Sequence, residues 1–283
     1  MLSMKDKIQR YTNIFNYGHK KIYYHYWSHI DSSTPDTIIF LGTFQIGKIP
    51  KWVAEAAPPG VVVVQGLPHW ESHPSARDLK DFSIIYTETV LKNILSMYNL
   101  SSANIIAHSQ AVPGIIAVGL KNLDCINNLS LMAPLGFTSS IFGNSMKERI
   151  ATLRLRSFYT LFQFTQSPFY DIRNTYVTLM LLKALLSEKE IGASNKKYAM
   201  GLSYNLLEEV SELANKLWNK GKTLTIFLGE KDKIFPPKEV IESLRAAKIN
   251  HIKTVIIPKL SHSSLAIRGG SEVLKQMVSL TRG

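Results

Sequence analysis

Cysteine is almost missing from this chain: Cys125 is the only one in 283 residues, so no intrachain disulfide can form. It comes just before an apolar run, where a buried structural thiol is expected. Long apolar runs are missing too. The longest, 176–186 (YVTLMLLKALL), is interrupted by Lys183 and falls short of the roughly 20 residues that span a bilayer. The first thirty residues hold no continuous apolar stretch, so no secretory signal is predicted. A soluble, cytoplasmic protein is the expectation. Acidic residues are few, 21 Asp+Glu against 33 Lys+Arg, which leaves a net charge of +12. Such an excess can attract nucleic acid, anionic lipid or an acidic substrate. Here the basic residues are scattered, without a dense run or a nucleic-acid-binding motif, and a merely solvated surface with no nucleic-acid partner is predicted. Internal repeats and low-complexity tracts are also lacking.

What is present is a chain that is 45% hydrophobic, enough for one large core with one inserted subdomain. Strand-like runs at 12–15 and 21–27 flank Tyr17-Gly18-His19 and predict an opening hairpin. Buried strands are predicted at 37–41 (TIIFL) and 61–64 (VVVV). Residues 81–98 carry Phe82, Ile84, Ile85, Val90, Leu91, Ile94 and Leu95 at helical spacing. A strand at 104–107, a turn at 108–110, a helix at 112–121 and a strand at 128–132 follow. From 136 to 204 the strand–helix rhythm stops, and the text is helical and rich in Phe and Tyr. It resumes with a helix at 206–219, a strand at 223–228, a helix at 237–247, a strand at 254–257 and a helix at 272–281. This alternation predicts an α/β fold: a mostly parallel central sheet flanked by helices, built from residues 1–135 and 205–283, with a helical cap inserted at 136–204.

Ser109 lies where an apolar strand hands over to a helix, so a sharp turn would lift its hydroxyl above the sheet edge. The helix N-terminus would point free N–H groups at it. The turn needs small neighbours, here Ala107 and Ala111. A serine hydroxyl needs a base, and His262 stands on a late loop after the 254–257 strand. Asp232, after the 223–228 strand, would orient that imidazole. All three would then reach the carboxyl end of the sheet, where α/β sites form. Taken singly, each has a plain reading: Ser109 as a helix cap, Asp232 and His262 as turn and loop residues. Their joint order favours the catalytic one. Glu230 is the alternative acid. His108 is read as a supporting residue rather than the base, because neighbours on a tight turn point apart. The segment His69-Trp70-Glu71-Ser72-His73 is not His-Glu-x-x-His, and Pro68 and Pro74 bracket it. It is read as a loop near the active-site mouth, and neither metal nor cofactor is expected.

The order Ser, Asp, His, each after a strand, resembles the α/β-hydrolase superfamily over nearly the whole chain. Ala107-His108-Ser109-Gln110-Ala111 is similar to its Gly-x-Ser-x-Gly elbow, with alanine at both glycine places. Gly229-Glu230-Lys231-Asp232 is similar to its acid loop, and Leu67-Pro68-His69-Trp70-Glu71-Ser72 to a worn Pro-Gly-x-Gly-x-Ser loop. The 136–204 insertion falls where that family carries a lid. The resemblance implies an oxyanion hole of backbone N–H groups, assigned to Phe44 and Gln110 with Thr43 as the neighbouring alternative. The loop Leu41-Gly42-Thr43-Phe44-Gln45 lacks the histidine often found there. Thr43, His108, Phe158 and Phe162 are expected near bound substrate, the aromatic cap lining an apolar acyl pocket. The activity expected is hydrolysis of a carboxylic ester or thioester of a small molecule through an acyl-enzyme. The alternatives are acyl transfer, elimination or carbon–carbon cleavage on the same fold, or a non-catalytic ligand-binding relative.

Overall fold

The computed structural model describes residues 8–29, 34–42, 49–66, 79–137, 145, 147–149, 151–152, 155–156, 159, 205–258, 260 and 270–283. Among them, eight strands form one sheet in the order β1-β2-β4-β3-β5-β6-β7-β8. β1 (Ile8–Tyr17) and β2 (Lys20–His29) make the expected hairpin. Gly18 takes φ +57 at its tip, a region glycine enters freely. β2 pairs antiparallel with β4 (Val61–Val64); from β4 onward all neighbours are parallel. The remaining strands are β3 (Thr37–Phe40), β5 (Ala103–His108), β6 (Ile126–Met132), β7 (Leu224–Gly229) and β8 (Ile252–Ile257).

Every residue of β3, β4, β5 and β7 is buried, because helices cover both faces of a parallel sheet, and these strands read as continuous apolar runs. At the two edges, β1 and β8 mix half-buried and exposed positions, with one buried residue in each. The helices are α1 (Ile49–Ala56), α2 (Leu79–Met97), α3 (Val112–Lys121), α4 (Leu207–Asn219), α5 (Pro237–Ala246) and α6 (Gly270–Arg282). Helix α1, short and wedged by Val53 and Ala54, was not predicted from the sequence. In α2 the buried stripe runs Phe82, Ser83, Tyr86, Thr87, Val90, Leu91, Ile94 and Leu95, whereas Ile85, expected in the apolar face, is exposed. Ser83 and Thr87 replace large apolar residues where α2 meets α3. There a Cβ on Gly114 would stand 2.8 Å from the Ser83 carbonyl and still closer to Thr87 Oγ1, so only glycine lets the helices approach this far.

The two halves of the core are sewn together by the last helix. Ser130 of β6 bonds Thr281 through their hydroxyls at 2.7 Å. Arg282 donates to Asp36 Oδ1 from Nε at 2.9 Å and from Nη2 at 2.7 Å, just before β3. The Leu206 N–H donates to the Gly136 carbonyl at 3.0 Å, so the chain leaving β6 and the chain entering α4 meet at one point. Cys125 is buried as expected; its thiol donates to the Asn122 carbonyl at 3.0 Å, and burial raises its pKa.

Candidate active site

The sheet order reverses at β3. β4 lies on one side of it and β5 on the other, with Phe40 beside Ala107, so the chains leaving β3 and β5 face each other across a crevice. In doubly wound sheets such crevices are where ligands bind.

At the end of β5, His108 is still extended (φ −107, ψ 129), and Ser109 then turns to φ +52. Ser109–Ala111 forms a single 3-10 turn, and α3 starts at Val112 with Pro113 in its first turn. A left-handed φ on a residue with a Cβ costs about 1–3 kcal/mol and persists only where the surroundings hold it. Here they do: Ala107, His108, Ser109, Gln110 and Ala111 are all buried. Both alanines at the elbow positions are accommodated in this packing.

Gly42, two residues past β3, presses directly on that turn. A Cβ there would stand 3.0 Å from Ser109 Cβ, 3.1 Å from the His108 carbonyl and 3.3 Å from the Gln110 nitrogen. A Cβ on Gly66, just past β4, would in turn collide with the Gly42 carbonyl. Three strand ends thus stack without side chains between them. The Gly42 N–H donates to His108 Nδ1 at 3.4 Å, which ties the β3 exit to the elbow. His108 is buried and engaged with the β3 exit, consistent with support of the elbow.

The loop that follows β7 is held as firmly. Asp232 is only 2% exposed, and its Oδ1 accepts the N–H groups of Ile234 at 2.8 Å and Phe235 at 2.9 Å. Glu230, the alternative acid, is exposed. The loop is sewn to the chain leaving β8: Glu230 N–H donates to the Ile257 carbonyl at 3.0 Å and Lys231 N–H to the Leu260 carbonyl at 2.9 Å. Gly229 makes room for this, since a Cβ there would strike the Leu260 carbonyl. From the other side comes Arg156. Its Nη1 donates to the Ile234 carbonyl at 3.2 Å and to Glu239 Oε2 at 3.0 Å, and its Nη2 to Glu239 Oε1 at 3.4 Å. A residue of the 136–204 segment therefore clamps the acid loop to the first turn of α5.

Of the residues singled out in the sequence, Ser109, His108 and Gln110 share the elbow, and Asp232 sits past β7, two strands along the same sheet edge. His262, Phe44, Thr43, Phe158, Phe162 and the 69–73 segment lie outside the described residues. Among the described residues no group of three or more His, Cys, Asp or Glu could hold a metal ion, and no helix is long and apolar enough to cross a membrane. Sequence reasoning missed the close approaches of Gly42, Gly66 and Gly229 and the Arg156–Glu239 clamp. The glycines left a signal, each at or within two residues of a strand end, where close backbone approach is common. The clamp left none, since its partners are 83 positions apart.

No protein-family model matches the chain, and no curated protein matches its sequence. Solved structures match along nearly its full length. An α/β hydrolase enzyme, MGS-M2, from a Medee basin deep-sea metagenome library is 19% identical, with a TM-score of 0.61 over 95% of each chain. A putative lipase from Acinetobacter baumannii AYE is 16% identical, with a TM-score of 0.64 over 98% of this chain and 91% of its own. A thermophilic esterase from Thermogutta terrifontis is 15% identical, with a TM-score of 0.61 over 97% and 98%. The chain has the α/β-hydrolase fold.

Proposed function

We propose that the protein is a serine hydrolase that cleaves a carboxylic ester or thioester of a small, apolar acyl substrate. The observation that carries this is Ser109 held in left-handed backbone at the end of β5, in the switch-point crevice, against a glycine that leaves space beside it. A helix cap needs no such conformation. Asp232, buried and oriented by two N–H groups, supports the same reading and is favoured over exposed Glu230 as the acid. His262 is the base. It follows Leu260 by two residues, and two residues of chain reach no more than about 7 Å. Leu260 is itself bonded to the acid loop.

In this mechanism His262 takes the proton of Ser109 as its Oγ attacks the acyl carbonyl, and Asp232 stabilises the imidazolium. The tetrahedral oxyanion is held by the backbone N–H groups of Gln110 and Phe44 (or Thr43), and one such donor contributes about 3–4 kcal/mol. His262 then protonates the departing alcohol or thiol. Water, deprotonated by His262, releases the acid from the acyl-enzyme by the same steps in reverse. The aromatic 136–204 segment serves as a cap over the acyl group. The solved hydrolase, lipase and esterase structures that share the fold are consistent with this class of chemistry. A fluorophosphonate probe should label the folded protein and leave Ser109→Ala unlabelled. p-Nitrophenyl esters of graded chain length and acyl thioesters should then be cleaved by the first protein alone. Equal labelling or equal turnover by the two would remove Ser109 as nucleophile.

A further inference from the structure

Beside the elbow, between the ends of β3 and β4 and helix α2, lies a small cavity. Leu41, Gln65, Ser83, Tyr86, Thr87 and Gln110 line it. It offers about 10 Å³ to the centre of a water-sized sphere, the room of one molecule. Two buried side-chain atoms of these lining residues, Ser83 Oγ and Gln110 Oε1, have no hydrogen-bond partner among the described residues. Both residues are more than nine-tenths buried, at 5% and 7% exposure. Tyr86, another lining residue, donates from its hydroxyl to the Gln65 carbonyl at 2.9 Å and keeps a lone pair for one further bond. Burial, then nearby Tyr24, pushes its pKa up, so it stays protonated. On the helix side, Gly114 packs closely against Ser83 and Thr87.

Buried polar atoms in native proteins find partners, and a cavity of this size with several convergent polar groups suits an ordered water. We propose that one water sits here, bridging Ser83 Oγ on α2 to Gln110 Oε1 on the elbow, and that the bridge fixes Gln110 so that its backbone N–H meets the oxyanion. Turning the Gln110 amide over would present Nε2 instead, and a water serves either atom. Ser83 and the Gln110 side chain are thus positioning groups: they touch no substrate, and they couple the register of α2 to the oxyanion hole. The positioning role depends on the hydrolase reading above; the water site does not.

A high-resolution crystal structure of the full chain tests the site. A water within hydrogen-bond distance of both atoms is expected, and clear density lacking one overturns the proposal. On a p-nitrophenyl ester, Ser83→Ala and Gln110→Met should each lower kcat about tenfold, leave KM within about twofold, and combine to no more than the larger single loss. Wild-type kcat in Ser83→Ala, or losses that multiply in the double variant, would overturn the positioning role. Should Gln110→Met fail to fold, Ser83→Ala carries the kcat-against-KM readout alone. If the unaltered protein neither labels with a fluorophosphonate nor cleaves any ester, the hydrolase reading has failed instead. Crystal density and coupling between the two variants in Tm then still decide the water.

Discussion

Ser109 holds a backbone conformation that its own Cβ disfavours, and Gly42, which has no Cβ, packs directly against it. The strain is local, so changes nearby should separate stability from chemistry. Gly42→Ala would push a methyl to within 3.0 Å of Ser109 Cβ. Overpacking of this kind costs about 1–3 kcal/mol, readable in urea unfolding, and a displaced elbow should lower kcat as well. At the acid loop, Asp232→Asn should keep the backbone N–H bonds on Oδ1 yet lower kcat by about 10⁴, because the amide no longer holds the imidazole in the right tautomer. Glu230→Gln, at an exposed site, should leave kcat unchanged. A reversed result in ester turnover would make Glu230 the acid.

Between elements, two polar ties stand out. Arg156 holds the acid loop and the start of α5 through Ile234 and Glu239, a half-buried forked contact rather than a single surface pair. Arg156→Ala should speed hydrogen exchange at the Ile234 and Phe235 amides by loosening the loop that orients Asp232, while exchange in β5 stays slow. Elsewhere, Glu88 of α2 accepts from Lys121, the last residue of α3, at 2.8 Å and from Lys92 at 2.8 Å. The bond to Lys121, then that to Lys92, holds the Glu88 carboxyl below its ordinary 4.5. A carboxyl whose pKa is lowered on folding adds stability above its unfolded pKa, and that stability is lost as pH falls through the folded value. Glu88→Gln should therefore lower the unfolding free energy at pH 7 by less than about 1 kcal/mol given the exposed lysines, seen as a slightly lower Tm, and make no difference at pH 2.

At the scale of the whole molecule, the two ends of the segment proposed as a cap meet at one place. Gly136 and Leu206 are bonded, and Gly136 takes φ +97 against the Leu206 side chain. A short Gly/Ser linker replacing residues 138–204 should thus leave the sheet and its far-ultraviolet circular dichroism intact, with cooperative unfolding. The same variant should lose discrimination among p-nitrophenyl esters by chain length. Loss of cooperative unfolding would mean that the insertion completes the core rather than capping it. The α6 ties to β6 and to Asp36 bind the C-terminal helix to both halves of the sheet. Arg282→Ala should lower Tm without changing KM.

By itself the sequence determined the rhythm of the fold. Apolar four- to seven-residue runs ending in Gly, His or Ala-Pro announced the parallel strands, because strands covered on both faces must be apolar throughout. It also marked Ser109 and Asp232, since each follows such a run, and the helix at Val112–Lys121 was readable to the residue. Edge strands were read short: β1 and β8 extend through polar residues that only pairing holds straight. Helix α1 escaped notice because eight residues carry too little periodicity. The tertiary structure alone decided which of Glu230 and Asp232 is buried, because acidic residues two apart on one loop differ only in what packs over them. It alone brought Gly42 to Ser109 and Arg156 to Glu239, and it enclosed Ser83 with Gln110. Such contacts join positions tens of residues apart, and no local pattern encodes a meeting that depends on the order of strands in the sheet.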